Sequence, residues 1–189
     1  LPIFPPIEGL RELTDAEGSN IRSIYGFMDN IPYYEANAEG KKVVVIGCGA
    51  VGLDVMEFFT LRKAEVTMIE MMPSFGKDAD IVSKSTFKEL LEKHPVDMHL
   101  STALEKVCPD KFIASHNGES AEYPFDYGFI CMGLVPDIPA DNPFETYAKE
   151  QGIPFCNFGN SRKTGQIIHG TELGRDIVAT IDMIGGFDD

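Results

Sequence analysis

The sequence predicts an α/β fold: a parallel sheet with crossover helices and a small antiparallel β-meander set into it. Three observations point there. Between residues 42 and 101, short β-branched runs alternate with runs of helical period. From Leu104 to Phe125 the segments shorten and are separated by turn residues. An apolar run then returns at Tyr127. Alternation of the first kind implies parallel strands joined by right-handed crossovers, and short segments broken by turn chemistry imply antiparallel hairpins.

Taken in order, residues 1–40 carry four of the twelve prolines and no long periodic run, which predicts an extended lead-in with one short helix. "KVVVI", Lys42–Ile46, is a buried strand by its β-branched run. Val51, Val55, Phe58 and Phe59 recur at helical spacing, giving a helix that ends near Arg62. "AEVTMIE" is the second strand. Residues 79–94 form a helix with Ile81, Phe87, Leu90 and Leu91 on one face, stopped by Pro95, and "VDMHLS" is the third strand. "LEKVC", "KFIASH" and "AEYPF" make the meander, with turns at Pro109-Asp110 and Asn117-Gly118. "YGFICMG" is the fourth parallel strand. A short apolar run "IPFCNFG", a polar loop "NSRKTG" and a helix over about residues 166–184 close the chain.

The 189 residues fit one domain, or one domain with part of another. Sixteen basic against 30 acidic side chains give a net charge of −14, which repels phosphate backbones and anionic lipid and so argues against nucleic acid and membrane surfaces as partners. The longest stretches without charge, 43–53 and 151–161, are too short to span a bilayer. The start "LPIFPPIEGL" has no basic region before an apolar run, so no signal peptide is read, and the missing Met predicts a piece of a longer protein. Cys48, Cys108, Cys131 and Cys156 lie far apart with no C-x-x-C pair. They are expected to be reduced thiols of a cytoplasmic protein, not ligands of zinc or an iron–sulfur cluster.

"GCGAVG" between the first strand and its helix is a turn shaped for a dinucleotide. A helix N-terminus offers backbone N–H groups and partial positive charge to a pyrophosphate. Gly47 allows the tight turn, Gly49 lets the backbone approach the phosphates, and Gly52 lets the helix pack on the sheet. Ala50 and Val51 complete the segment placed at the phosphates. Glu70 ends the second strand 18 residues after Gly52, where a carboxylate accepts hydrogen bonds from the adenosine ribose. That acid would repel a 2′-phosphate, and Met71, Met72 and Pro73 bring no cation, so NAD(H) is expected over NADP(H), with Lys77 the nearest basic residue. Asp54, read as standing in the helix's first turn, serves either the helix dipole or the cofactor. Cys48 is expected to be a small packed side chain, and the four histidines carry no catalytic assignment. Hydride chemistry belongs to the cofactor, so no general acid or base is named.

The segment from Gly40 through "VTMIE" resembles the NAD-binding fingerprint of the pyridine-nucleotide-dependent flavoprotein reductases, which pair FAD and NAD domains; Asp54 stands where they commonly have Glu. "FDYGFICMGLVPD" resembles their Gly-x-x-Pro element, which implies a place for Gly133 near the nicotinamide, with Asp137 where Asn is common. "LPIFPPIEG" resembles the segment after the first FAD-domain portion. "FGNSRKTGQIIHGTELGRDIVATI" resembles the closing FAD-domain motif, implying FAD contact by Gly159 and by Asn160, which replaces the usual Asp. The expected organisation is thus a lead-in over 1–40, an NAD(H)-binding domain over 41–136 and an FAD-domain segment over 137–189, flanking pieces of an incomplete FAD domain. "RKTG" is similar to the "RKPG" of the old yellow enzyme-like NADH:flavin oxidoreductases of the 2,4-dienoyl-CoA reductase and 2-enoate reductase type. That resemblance implies FMN and an iron–sulfur cluster upstream and an enoate or enoyl thioester as acceptor. The alternative is a standalone NAD-binding or regulatory module without turnover.

Overall fold

The structure, a computed structural model, describes residues 5–77, 79–136, 141–165 and 167–183. Asp137 therefore lies outside the described residues. The chain divides into two compact units, one running to Gly133 and one from Leu134 onward.

In the first unit, β2 (Lys42–Ile46) is the centre of a five-stranded parallel sheet. It pairs on one side with β3 (Glu65–Ile69), in register Val45 to Met68, and on the other with β8 (Tyr127–Ile130), Val45 to Phe129. Outside them lie β4 (Asp97–His99) beside β3 and β1 (Ile21–Ser23) beside β8. The α/β class with its parallel sheet and antiparallel meander is as the sequence predicts.

The run of valines is continuous because both faces of β2 are covered. Side chains alternate along a strand. Val43 and Val45 point into a core with Phe27 of α2 (Ile24–Asp29), Tyr34 of α3 (Ile31–Asn37) and Leu53, Val55, Met56 and Phe59 of α4 (Ala50–Thr60). Val44 and Ile46 point into the opposite core, with Leu10 of α1 (Leu10–Leu13) and Val107, Phe112 and Ala114 of the meander. The meander is β5 (Thr102–Val107), β6 (Lys111–His116) and β7 (Glu119–Pro124), in that order. Asn117 and Gly118, both at positive φ, join β6 to β7 as a two-residue hairpin requires.

Two expectations are corrected here. The first forty residues are not an extended lead-in: they hold three short helices, and β1 adds a fifth strand to the sheet. Ile81 does not join the apolar face of α5 (Ile81–Lys93); it is 86% exposed, whereas Phe87 is buried. Ile81 is the first residue of that helix, directly after the cap Asp80, whose carboxylate accepts the N–H groups of Val82 and Ser83. The helix thus begins with its first turn still clear of the sheet.

The second unit contains α6 (Pro143–Gln151), a short 3-10 turn over Gly159–Ser161 and α7 (Ile167–Met183). The run "IPFCNFG" forms no strand. No helix among the described residues is long and apolar enough to cross a membrane.

Candidate functional site

From β2 the chain passes to β3 on one side, while β8 lies on the other. The carboxyl end of β2 is therefore a point where strand order reverses, the crevice in which open α/β sheets bind ligands. The glycine turn sits there.

Each glycine of the turn has its own cause. Gly47 has φ +100, and a Cβ on it would overlap the Cys131 carbonyl oxygen and stand 2.8 Å from its carbon. Its N–H donates to the Ile69 carbonyl at 2.8 Å, which ties the turn to the end of β3. Gly52 lies in the first turn of α4, where a Cβ would overlap the Gly47 carbonyl oxygen and stand 2.9 Å from its carbon. Gly49 is the residue before α4, at φ −72 and ψ −178, an extended backbone conformation that any residue can adopt. Local conformation thus accounts for Gly47 and Gly52 and leaves Gly49 without a conformational reason.

Glu70 follows β3 directly and is drawn into the turn. Its Oε2 accepts the Cys48 N–H at 2.7 Å and its Oε1 accepts the Met72 N–H at 2.8 Å. The sequence places this carboxylate near the turn but does not show that it clasps the backbone on both sides of the crevice. Each oxygen retains lone-pair capacity for a further donor. A second clasp went unread in the sequence: the Gly76 N–H donates to the Cys48 carbonyl at 2.7 Å, holding the loop after β3 over the turn. The sequence shows there only a lone glycine in the loop after the strand, and the structure gives it a positive φ.

Ala50 and Val51 open α4, both half-buried. The first N–H groups of a helix have no carbonyl partner within it, which makes this end suited to an anion. Asp54 differs from expectation. The first turn of α4 carries no acid, and Asp54 stands one turn further on, exposed. Its pKa is raised by partial desolvation and by Glu57. Stabilisation of the dipole at the first turn is thus not its role.

Cys48 and Cys131 are both buried in the core under the turn. Burial pushes the Cys48 thiol up to about 12, helped by the charge of Glu70, and burial likewise pushes Cys131 to about 12, helped by Cys48 and Asp54. A raised pKa leaves the thiol protonated and unreactive at neutral pH. Iodoacetamide at pH 8 is therefore expected to label exposed Cys156 and to spare Cys48 and Cys131 until the chain is unfolded, read by peptide mass spectrometry. Rapid labelling of Cys48 in the folded chain would contradict its placement.

The candidates Gly47, Gly49, Ala50, Val51, Gly52 and Glu70 are thus gathered at one end of the sheet. Gly133, at φ +105, follows β8, whose carboxyl end lies at that same edge. Gly159 and Asn160 belong to the second unit, where the Asn160 Oδ1 accepts the Gly165 N–H at 3.2 Å and closes the polar loop on itself. Among the described residues no group of three or more His, Cys, Asp or Glu could hold a metal ion.

A parallel sheet with a glycine turn at its reversal point, and an acid at the end of the next strand, defines a Rossmann-like α/β protein of the flavoprotein reductase type. The family model described as pyridine nucleotide-disulphide oxidoreductase matches residues 2–155, and the chain belongs to that family of oxidoreductases. It is 28% identical over 190 residues to an NADH oxidase of Methanocaldococcus jannaschii, covering 98% of this chain and 40% of the relative. It is 31% identical over 146 residues to an NADH oxidase of Enterococcus faecalis, covering 72% of this chain and 30% of the relative. The chain thus spans well under half the length of these relatives. Among solved structures, reduced CoADR-RHD of Bacillus anthracis matches the whole chain with TM-score 0.63 at 16% identity, covering 37% of that protein, a likeness of fold. The NAD-dependent persulfide reductase of A. fulgidus matches with TM-score 0.54 at 28% identity over 82% of this chain and 27% of that one.

Proposed function

We propose that this chain is the NAD(H)-binding portion of a larger cytoplasmic flavin-dependent oxidoreductase. The observation that carries the proposal is Gly49. Its extended backbone does not itself require glycine, and a residue without a side chain at the head of α4 suits a group that approaches the backbone there. A pyrophosphate is that group: it meets the backbone at Gly49, Ala50 and Val51 and the positive end of the helix. NAD(H) bound there supplies a hydride for FAD held by upstream parts of the same polypeptide.

The residues of this chain bind and position. Glu70, fixed by the Cys48 and Met72 N–H groups, presents its remaining lone pairs to the adenosine ribose hydroxyls and disfavours a 2′-phosphate. Asp54, exposed one turn into α4, faces the cofactor, and Gly133 leaves room for the nicotinamide end. Gly159 and Asn160 contact the flavin. The names of the relatives support electron transfer from NADH. Reduction of an enoate or enoyl thioester by an old yellow enzyme-like parent with FMN and an iron–sulfur cluster is supported only by the "RKTG" resemblance.

The test is calorimetric titration of NADH into the chain and into Gly49→Asp. Saturable binding by the wild type and a loss of more than about 100-fold in the variant are expected, since the new carboxylate would occupy and repel the phosphate position. Equal binding by both proteins, or tighter binding of NADPH than of NADH by the wild type, would overturn the reading.

A further inference from the structure

The first unit holds a pocket of about 270 Å³ at the edge of the sheet away from the glycine turn. Tyr127 begins β8 and Ile21 begins β1, whereas the turn leaves the carboxyl end of β2, and all three strands run parallel. Arg22 of β1, Tyr33 and Tyr34 of α3, and Tyr127 are among the residues that line it.

Tyr34 carries a polar atom for which the fold has no use. The residue is 4% exposed, and its ring centroid lies 5.8 Å from Phe27, 5.5 Å from Phe59 and 5.4 Å from Phe129, so the ring belongs to the core. A phenylalanine would pack there as well. Buried tyrosine hydroxyls generally find a partner, yet this one makes no hydrogen bond among the described residues and is not sealed from solvent. It therefore opens on the pocket that the residue lines. Burial raises its pKa against the field of Arg22, with Tyr33 and Asp15 raising it further, so at neutral pH it is a protonated donor.

Arg22 stands beside it as a fixed cation. Its Nη1 donates to the carbonyls of Ala16 and Ile21 at 3.3 and 3.0 Å, which holds the guanidinium to the backbone. The Nε and Nη2 N–H groups form the other edge, the fork that matches the two oxygens of a carboxylate. The Tyr33 and Tyr127 hydroxyls lie 3.4 Å apart, so one donates to the other and one proton is left for a ligand. Donors thus converge from three directions on a space walled by aromatic rings. The Tyr127 ring stands edge-on to Tyr33 and Tyr34, with centroids at 6.2 and 5.2 Å, an arrangement that a further aromatic ring can extend. One fixed cation balances one negative charge. A dianion such as phosphate is disfavoured by the net charge of −14 and by Asp15, whose field reaches the Tyr34 hydroxyl.

We propose that this pocket binds a small aromatic monocarboxylate, with the carboxylate held by Arg22 and the Tyr34 hydroxyl and the ring set against Tyr33 and Tyr127. The test titrates benzoate into wild type, Tyr34→Phe and Arg22→Gln by calorimetry, with benzamide and inorganic phosphate as comparison probes and thermal melting of each protein without ligand. Saturable benzoate binding is expected in the wild type, with benzamide at least about tenfold weaker, the size of a hydrogen bond to a charged group. Arg22→Gln should lose at least about tenfold for benzoate, and Tyr34→Phe about fivefold, the size of one neutral hydrogen bond. Arg22→Gln also frees two carbonyls, so Tyr34→Phe keeps the test independent of folding: removing a hydroxyl without a partner should leave the melting temperature unchanged or higher. Saturating NADH should leave benzoate affinity unaltered. Absence of benzoate binding by the wild type, equal affinities for benzoate and benzamide, or wild-type affinity in Tyr34→Phe would overturn the proposal. So would tighter binding of phosphate than of benzoate, competition by NADH, or a lowered melting temperature in Tyr34→Phe, which would show the hydroxyl to be bonded within the protein.

Discussion

Gly52→Ala is expected to destabilise the first unit by at least about 3 kcal/mol, a large share of the roughly 5–15 kcal/mol that holds a typical domain folded. The added methyl would overlap the Gly47 carbonyl oxygen and stand 2.9 Å from its carbon, so the clash is with backbone and not with a side chain that can rotate away. Gly47 has no room to yield. Its own N–H is tied to the Ile69 carbonyl, and its Cα faces the Cys131 carbonyl so closely that a Cβ there would also overlap it. Relief would require α4 to move off the sheet, exposing Leu53, Val55, Met56 and Phe59, all fully buried. Urea unfolding followed by circular dichroism reads the effect; a midpoint equal to that of the wild type would show that the helix rides freely over the turn. Gly49→Asp is the matched control, because its backbone is extended and its cost should appear in binding and not in the urea midpoint.

The contrast between these glycines shows what could be read without coordinates. The strand, turn and helix from Lys42 to Thr60 were legible because each residue choice agrees with its neighbours: β-branched residues buried on both faces, glycines at fixed spacing, then apolar positions at helical period. The meander was legible from Asn117-Gly118, whose positive φ values specify the hairpin locally. Ile21–Ser23 was not legible as a strand. It has three residues, and its pairing partner Gly128–Ile130 lies more than a hundred positions away, so only tertiary contact creates it. Ile81 was misplaced for a related reason: periodicity assigns a helix face but not where along the helix burial begins.

The candidate site divides in the same way. Spacing located Glu70 near the turn, yet its hydrogen bonds to Cys48 and Met72 depend on how two loops meet. The Gly76 clasp depends on the path of the loop after β3, for which the sequence offers no period. What was legible is therefore the part set by local backbone chemistry. What was missed is the set of contacts that one loop makes on another.

Phe59→Ala is expected to cost about 3–5 kcal/mol, the range for emptying a large aromatic site in a packed core. Phe59 is fully buried at the centre of an aromatic cluster, with ring centroids 5.0 Å from Phe129, 5.1 Å from Phe58, 5.5 Å from Tyr34 and 5.9 Å from Phe27. Those rings come from α2, α3, α4 and β8, so the side chain joins the first forty residues to the sheet. Phe59→Leu keeps much of the volume and should lose well under half as much. The loss should be one of stability and not of site chemistry, because Phe59 lies ten residues beyond Gly49, about 15 Å along the helix axis. Below its melting transition Phe59→Ala should therefore bind NADH with the wild-type dissociation constant, whereas Gly49→Asp should fail to bind while melting normally. If Phe59→Ala instead weakened NADH binding while fully folded, the head of α4 would have to be positioned by the aromatic cluster at its far end and not by the clasps at Glu70 and Gly76.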